Sequence, residues 1–389
     1  MSRGGPRKVV VLGSTGSVGT STLDVVRSMP ERLKVVGLSA GRQWRKLARQ
    51  IQEFAPRAAA LAVAEERAQF EQAVCGLDVE LLFGLEGVCD LAALDGADVV
   101  MSAIMGWAGF APAVRALERG RVLALANKEA LVVGGEILRE VAQRSGGAIL
   151  PVDSEQSAVL QAMRSGRREE VARVVITASG GPFRGMPRDK LQAVTPEQAL
   201  QHPTWQMGKK ITIDSATMMN KALEIVETRW LFDVDPDRIQ TVIHPQSIVH
   251  SLVEFVDGSV VAQLGVPDMK LPIQFALTYP DRVPGPVERL DLARIGRLEL
   301  MEADPEEFPA LALGYEVARK GGTSGAVLNA ANEVAVESFL QGRIKFTDVV
   351  PLVAAVLRRH QVREHPDTAD LERADRWARQ EALRCSAQL

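Results

Sequence analysis

The stretch VVVLGSTGSVGTSTLDVVRS, residues 9–28, decides the fold. A β-branched run ends at Gly13, Gly16 and Gly19 and passes at once into a sequence with helical spacing. Glycines at such a junction permit a tight turn and close approach of backbone to a ligand, and the first N–H groups of the helix attract a pyrophosphate. The spacing is GxxGxxG instead of GxGxxG, so the glycines alone also fit a tight strand-to-helix turn built for packing. The context favours a dinucleotide site: strand, glycine loop, helix, then a second strand.

Working outward, KVVVLG, LKVVGLSAG, AAALAV, VELLF, ADVVMSAI, RVLALANK and GGAILPV repeat the short apolar pattern through the first 150 residues. WRKLARQIQEF, APAVRALERG and EALVVGGEILREVAQRSGG lie between them with apolar residues three and four apart. Strands alternating with helices imply βαβ units and a parallel sheet, here a Rossmann-like domain over 1–150. The end of the second strand selects the nucleotide. An NAD site usually has Asp or Glu there to hold the ribose hydroxyls, whereas this chain has Gly41, Arg42 and Gln43. A cation suits a 2′-phosphate and points to NADP, the alternative being that Arg42 simply opens an exposed helix.

Beyond residue 150 the pattern changes. IVHSLVEFV and SVVAQLGV flank Asp257-Gly258, a hairpin signal. The expected second domain, over 151–283, is α+β. Residues 284–309 are rich in Pro and charge and read as a connecting segment, and 310–389 read as a helical bundle. The fold class is therefore α/β in three parts.

Composition narrows the function. The chain has 389 residues, 46% hydrophobic and 24% charged, with net charge −3. A mildly acidic balance without a basic run offers no footprint for nucleic acid or an anionic membrane, so the partner is a small molecule. Three widely spaced cysteines, Cys75, Cys89 and Cys385, argue against a disulfide framework or a thiolate zinc site. The first strand begins after seven residues and no apolar run reaches the ~18 residues of a membrane span, so the expectation is a cytoplasmic protein.

PVDSEQSA, residues 151–158, places Asp153 and Glu155 two apart. Read as extended chain, they share a face, and like charges held together make sense around a cation. In IDSATMMNKALEIVETRWLF, Asn220, Glu224 and Glu227 share a helix face, which can bring a further carboxylate; taken alone, Glu224 and Glu227 read more simply as a solvated face. Oxygen ligands without His or Cys select Mg²⁺ or Mn²⁺. Lys221, Asn220, Ser215 and the turn TASGGPF with Ser179 describe a phosphate pocket, although Ser215 alone could be a helix cap and Ser179 a turn residue. HPTWQMGKK exposes Trp205 and Met207 after His202, as a lid or as an apolar anchor. Asn127, Lys128 and Glu129 stand at the C-terminal end of a parallel strand, where open α/β sheets bind ligands; they could equally be an ordinary helix start.

GSTGSVG, ANKE, PVDSEQSA, TASGGPF, HPTWQMG, DSATMMNKALE, HPQSIVHS and NAANEVAV, in this order, resemble the 1-deoxy-D-xylulose 5-phosphate reductoisomerase family over nearly the whole chain. The resemblance implies a V-shaped homodimer that uses NADPH and Mg²⁺ or Mn²⁺ to convert 1-deoxy-D-xylulose 5-phosphate to 2-C-methyl-D-erythritol 4-phosphate in isoprenoid biosynthesis. It makes Asp153, Glu155 and Glu224 the metal ligands, and Ser179, Ser215, Asn220 and Lys221 the phosphate ligands. Ser154 would bind the substrate hydroxyls, Lys128 would lie between metal, substrate and nicotinamide, and His202 with Trp205 would form the lid. Thr15, Gly16, Ser17, Val18, Gly41, Arg42, Gln43, Asn127 and Glu129 would line the NADPH site, with Met207 near the nicotinamide. Glu155 or a metal-bound water would move protons. Trp107, Thr204 and Gln206 depart from the family pattern. A semialdehyde or homoserine dehydrogenase, or a nucleotide-sensing protein without catalysis, are the alternatives. An acyl-transferring enzyme would need a nucleophilic cysteine, and Cys75 and Cys89 lie in the nucleotide domain.

Overall fold

The computed structural model describes residues 5–201, 205, 207–304 and 306–389. They group into two compact units that interleave along the chain: 1–130, 138–157 and 268–288 form the first, and 131–137, 158–267 and 289–389 the second.

The first unit is built on a parallel sheet of β1 (Arg7–Leu12), β2 (Leu33–Ala40), β3 (Ala58–Leu61), β4 (Glu80–Phe83), β5 (Val99–Ser102), β6 (Val122–Leu125) and β7 (Ala148–Pro151), in the order β4-β3-β2-β1-β5-β6-β7. All seven strands coincide with the apolar runs read from the sequence. Val9–Leu12 of β1 are fully buried, as a central strand covered on both faces must be. The strand order reverses between β1 and β5, and the crevice at such a switch point, beyond the carboxyl ends of the strands, is where open α/β sheets bind ligands. The segment 268–288, of which the linear reading assigns 268–283 to the catalytic part and 284–288 to the connector, packs in this unit. Its helix Lys270–Thr278 lies against the helix Ser17–Ser28, and Arg7 Nη1 donates to the Leu277 and Tyr279 carbonyls at 2.9 and 3.1 Å.

The second unit carries a mixed sheet of β8 (Val171–Ala178), β9 (Ile239–Ile243), β10 (Val249–Phe255), β11 (Val260–Leu264) and β12 (Met301–Glu302), in the order β11-β10-β8-β9-β12. The hairpin expected at Asp257-Gly258 is β10–β11, with Gly258 at φ +84°. Strands β8 and β9 run parallel, and the helices Lys209–Ala216 and Met219–Phe232 lie between them in the chain. The segment 284–309, read as a connector, contributes β12, which pairs antiparallel with β9. The C-terminal helices share this unit with the sheet. A Cβ at Gly314 of the helix Ala310–Lys320 would lie 2.6 Å from the Ala222 Cα, so that helix rests directly on the backbone of Met219–Phe232. The helix Ser324–Leu340, buried along most of its length, packs against Val349–Arg359 and Thr368–Ser386.

The helix read as one piece after ANKE runs from Lys128 to Ser145 but leaves helical geometry at Gly134 (φ −138°, ψ 38°). Residues 131–137 belong to the second unit for a packing reason. A Cβ at Gly135 would lie 2.3 Å from the Trp230 ring, and one at Gly325 would lie 1.9 Å from the Val132 carbonyl oxygen. Among the described residues, no helix is long and apolar enough to cross a membrane.

Candidate functional site

In the first unit the glycine turn joins β1 to the helix Ser17–Ser28, with Gly16 at the N-cap. Its three glycines serve different ends. At Gly13 (φ +77°) a Cβ would lie 2.6 Å from the Ala103 carbonyl oxygen, and at Gly19 one would lie 2.3 Å from the Gly13 oxygen. Both are required by the backbone. At Gly16 the nearest atom to a Cβ is 3.5 Å away, so its bareness answers no packing need within the chain and fits the close approach of a ligand. The N–H groups that follow, at Ser17 and Val18, open the helix beside Thr15. Gly41, Arg42 and Gln43 are exposed just beyond β2, and a Cβ at Gly41 would meet nothing within 4 Å. The Arg42 guanidinium stands 3.7 Å from Glu65, a solvent-exposed pair worth little, so the cation remains available to a phosphate.

Asn127 stands at the N-cap position of the helix that begins at Lys128, without a side-chain capping bond. Its Nδ2 donates to the Gly106 carbonyl at 3.0 Å, while its buried Oδ1 has no hydrogen-bond partner among the described residues. Gly109 makes room for this amide, since a Cβ there would lie 2.2 Å from Asn127 Nδ2. Trp107, the departure noted in this stretch, stacks on Phe110 at 5.0 Å. Lys128 is buried and forms an ion pair with Asp153, and Glu129 is half-buried in the first turn of the helix.

The extended reading of Asp153 and Glu155 does not hold. Strand β7 stops at Pro151 and a helix begins at Ser154, so Glu155 lies in a helical first turn and Asp153 immediately precedes it. The reason is local: Asp before Ser and Glu is a helix-start signal, and the Ser157 N–H already donates to the Asp153 carbonyl at 2.8 Å. The carboxylates remain close to one another through the helix turn and not through strand alternation. Ser154 Oγ donates to Glu155 Oε2 at 2.5 Å.

In the second unit the solvated-face reading of Glu224 and Glu227 fails as well. Lys221, Glu224 and Glu227 are all buried in Met219–Phe232. Lys221 forms an ion pair with Glu224, and Asn220 Nδ2 donates to Glu224 Oε1 at 2.6 Å. Charges taken out of water need such partners. Ser179 lies in the turn after β8, its Oγ accepting the Gly181 N–H at 3.3 Å. Gly181 (φ +69°) brings that turn onto Ser215, for a Cβ there would lie 2.9 Å from the Ser215 carbonyl oxygen. Ser215 is the penultimate residue of Lys209–Ala216, not a cap. Trp205 stands 6.3 Å, ring to ring, from the buried His250, and Met207 is half-buried. His202, Thr204 and Gln206 lie outside the described residues.

Two groups of polar residues escaped the sequence reading. Lys46 and Gln50 grip the glycine turn from the helix Trp44–Phe54. Behind Ser215, the buried Asp214 takes Lys210 Nζ and Asn332 Nδ2, each at 2.7 Å. NAANEVAV, noted as a motif without a role, supplies that Asn332. The acyl-transfer alternative is chemically poor: burial pushes the Cys89 thiol up to about 11, which removes it as a nucleophile near neutral pH.

Comparison with known proteins shows the family. Family models described as 1-deoxy-D-xylulose 5-phosphate reductoisomerase, its C-terminal domain, and the DXP reductoisomerase C-terminal domain match residues 9–135, 149–232 and 264–381 respectively. The chain is 50% identical over 374 residues to the 1-deoxy-D-xylulose 5-phosphate reductoisomerase of Pelotomaculum thermopropionicum, covering 96% of this chain and 97% of that one. It is 48% identical to that of Chlorobium phaeobacteroides, over 97% and 98%. Among solved structures, the Zymomonas mobilis reductoisomerase in complex with NADPH superposes with a TM-score of 0.93 at 40% identity, covering 99% of this chain and 100% of that one. A DOX-P reductoisomerase in complex with NADPH, fosmidomycin and magnesium gives 0.93 at 38%, over 98% of each. This chain belongs to the 1-deoxy-D-xylulose 5-phosphate reductoisomerase family.

Proposed function

We infer that the chain catalyses the family's reaction, the NADPH- and divalent-metal-dependent isomerisation and reduction of 1-deoxy-D-xylulose 5-phosphate to 2-C-methyl-D-erythritol 4-phosphate, in isoprenoid biosynthesis. The observation that carries this is the near full-length identity to named reductoisomerases, joined to a glycine turn whose middle glycine answers no packing need of the chain. The donor set fits both groups: an unpartnered buried amide oxygen and an exposed Arg42 for the nucleotide, and oxygen-only carboxylates for Mg²⁺ or Mn²⁺.

Residue roles are part of the proposal. Thr15, Gly16, Ser17 and Val18 hold the pyrophosphate; Gly41, Arg42 and Gln43 the adenosine end with its 2′-phosphate; Asn127, Glu129 and Met207 the nicotinamide end. Asp153, Glu155 and Glu224 are the metal ligands, and Lys128, by pairing with Asp153, fixes that carboxylate and places an ammonium beside the reacting centre. Ser179, Ser215, Asn220 and Lys221 hold the substrate phosphate, anchoring the end of the molecule that does not react so that its binding energy orients the carbons that do. Ser154 binds substrate hydroxyls, and Glu155, which accepts the Ser154 hydroxyl, is the side chain assigned to proton transfer. Trp205, with His202, closes over the substrate and excludes water. When bound, the cation supplies Lewis acidity at the substrate oxygens and NADPH supplies the hydride. Homodimerisation and a cytoplasmic location complete the reading, the first resting on the family resemblance alone.

The test is loss of NADPH absorbance on adding protein to 1-deoxy-D-xylulose 5-phosphate with Mg²⁺, with Mn²⁺ and with a chelator. Metal-dependent oxidation, with NADH much poorer, is expected. No oxidation by protein that still binds NADPH would move the reading to a nucleotide-binding protein without this activity.

A further inference from the structure

The helix Trp44–Phe54 follows β2 and holds the glycine turn by two side chains one helical turn apart. Lys46 Nζ donates to the Thr15 carbonyl at 2.8 Å and to Thr20 Oγ1 at 3.0 Å. Gln50, buried, donates from Nε2 to the Ser14 carbonyl at 3.0 Å and accepts from Ser14 Oγ at 2.6 Å. Two consecutive carbonyls of the turn are therefore claimed by one helix face. In a planar trans peptide the N–H points opposite to the carbonyl, so turning the Ser14 carbonyl toward Gln50 turns the Thr15 N–H away from that helix. The Gly16 N–H is occupied internally, donating to the Gly13 carbonyl at 3.1 Å. The same helix thus fixes which N–H of the turn faces outward, and Lys46 adds a positive charge to the rear of a turn that has no basic residue of its own between Gly13 and Ser17.

We propose that Lys46 and Gln50 are positioning residues of the nucleotide site: by gripping the Thr15 and Ser14 carbonyls they aim the Thr15 N–H and the start of the helix at Ser17 toward the pyrophosphate of the dinucleotide. The proposal rests on the NADPH reading and makes a distinction that reading does not. The pyrophosphate is common to NADPH and NADH, whereas the 2′-phosphate, assigned to Arg42, belongs to NADPH alone. Loss of the grip weakens both nucleotides by the same factor and leaves the sugar phosphate untouched.

The experiment titrates NADPH and NADH separately, by nucleotide fluorescence, into the wild-type protein and into Lys46→Met, Lys46→Arg and Gln50→Met, with the thermal midpoint of each recorded. For Lys46→Met the dissociation constants of both nucleotides are expected to rise about tenfold, as for the loss of one charge-assisted hydrogen bond. The KM for 1-deoxy-D-xylulose 5-phosphate and kcat at saturating NADPH stay within about twofold, and Lys46→Arg recovers most of the affinity. Gln50→Met, with its buried site refilled by an apolar chain of similar length, repeats the common loss. Unchanged dissociation constants in a folded Lys46→Met protein would overturn the proposal, as would a loss confined to NADPH, which would make Lys46 a reader of the 2′-phosphate. Should Gln50→Met fail to fold, the Lys46 pair decides the matter alone. If the wild-type protein binds neither nucleotide, the NADPH reading itself fails, and that result is distinct from equal binding by wild type and Lys46→Met.

Discussion

The three glycines of the first turn separate packing from ligand binding in a way that can be measured. In Gly19→Ala the new methyl would lie 2.3 Å from the Gly13 oxygen and 2.6 and 2.7 Å from the Ser14 Cα and carbonyl carbon. All three atoms are backbone, in a turn whose carbonyls are already held, so none can swing aside. Overpacking of this kind costs about 1–3 kcal/mol, and rigid neighbours put it at the upper end. At about 2–4 °C per kcal/mol for a unit of this size, the thermal midpoint falls by roughly 4–12 °C. In Gly16→Ala the backbone is already at φ −75°, open to any residue, and the methyl meets only the Gly13 oxygen at 3.5 Å. The stiffer unfolded chain gains about 0.4–1 kcal/mol and offsets alanine's weakness as an N-cap, leaving the midpoint within a degree or two. The same methyl stands where the pyrophosphate approaches, so NADPH affinity falls by tenfold or more. Calorimetry with and without NADPH reads both quantities. The reasoning is wrong if Gly16→Ala loses as much stability as Gly19→Ala, or if Gly16→Ala binds NADPH like the wild type.

Two further outcomes follow from the carboxylates and from a histidine. Asp153→Asn and Glu224→Gln are expected to lower metal-dependent turnover by more than about 100-fold, because even residues behind a ligand cost 10- to 100-fold, while NADPH binding persists; Mg²⁺ should raise the thermal midpoint of the wild type and of neither variant, and retained activity would remove them as ligands. His360 is partly buried, with Nε2 2.8 Å from Thr323 Oγ1, and burial, aided by Lys320, holds its pKa below the ordinary 6.5. The unfolded chain then binds the proton more readily, so this group's contribution is complete above about pH 6.5 and is lost as pH falls through the window beneath it. Exposed His365, raised by Glu136, acts in the opposite sense, so the diagnostic is a difference: His360→Gln should show a shallower fall of midpoint between pH 7 and 5.5 than the wild type, and parallel curves would refute it.

How much of this the chain's letters reveal depends on whether the signal is local. The seven parallel strands are legible because each is a short apolar run, the central ones β1, β2 and β5 buried and rich in β-branched residues, and the glycine turn because its conformational demands fall within seven residues. Strands β8, β9 and β12 are harder: β8 and β9 mix charged or polar residues such as Arg173 and Gln240 with apolar ones, and β12 is two residues long. Asp153 and Glu155 were identifiable as a pair, yet their geometry turned on one boundary, strand or helix at residue 154, and element boundaries are what local sequence specifies least. The burial of Glu224 was hidden for another reason. On a helical wheel three polar residues look like a solvated face, and only distant residues decide otherwise: Gly314 draws a second helix onto Ala222, and Gly135 seats Trp230 of the same helix.

The same logic explains why Lys46, Gln50, Asp214 and Asn332 escaped notice. Lys46, Gln50 and Asn332 each serve an element other than their own, Asp214 being the group that Asn332 reaches, and the bonds joining Gln50 to Ser14 and Asn332 to Asp214 span 36 and 118 residues of chain. Singly, Lys46 reads as an exposed cation and Gln50 as a tolerated polar residue on an amphipathic helix. Residues expected to touch ligand carry their chemistry in their own type and spacing, so a motif exposes them. Residues that aim a turn or steady a helix act through backbone atoms of another segment, where any donor of the right length serves, and only the fold brings donor and acceptor together. A grip that holds carbonyls should accordingly tolerate Lys46→Arg and fail with Lys46→Met, a pattern set by reach and hydrogen-bonding capacity and not by sequence context.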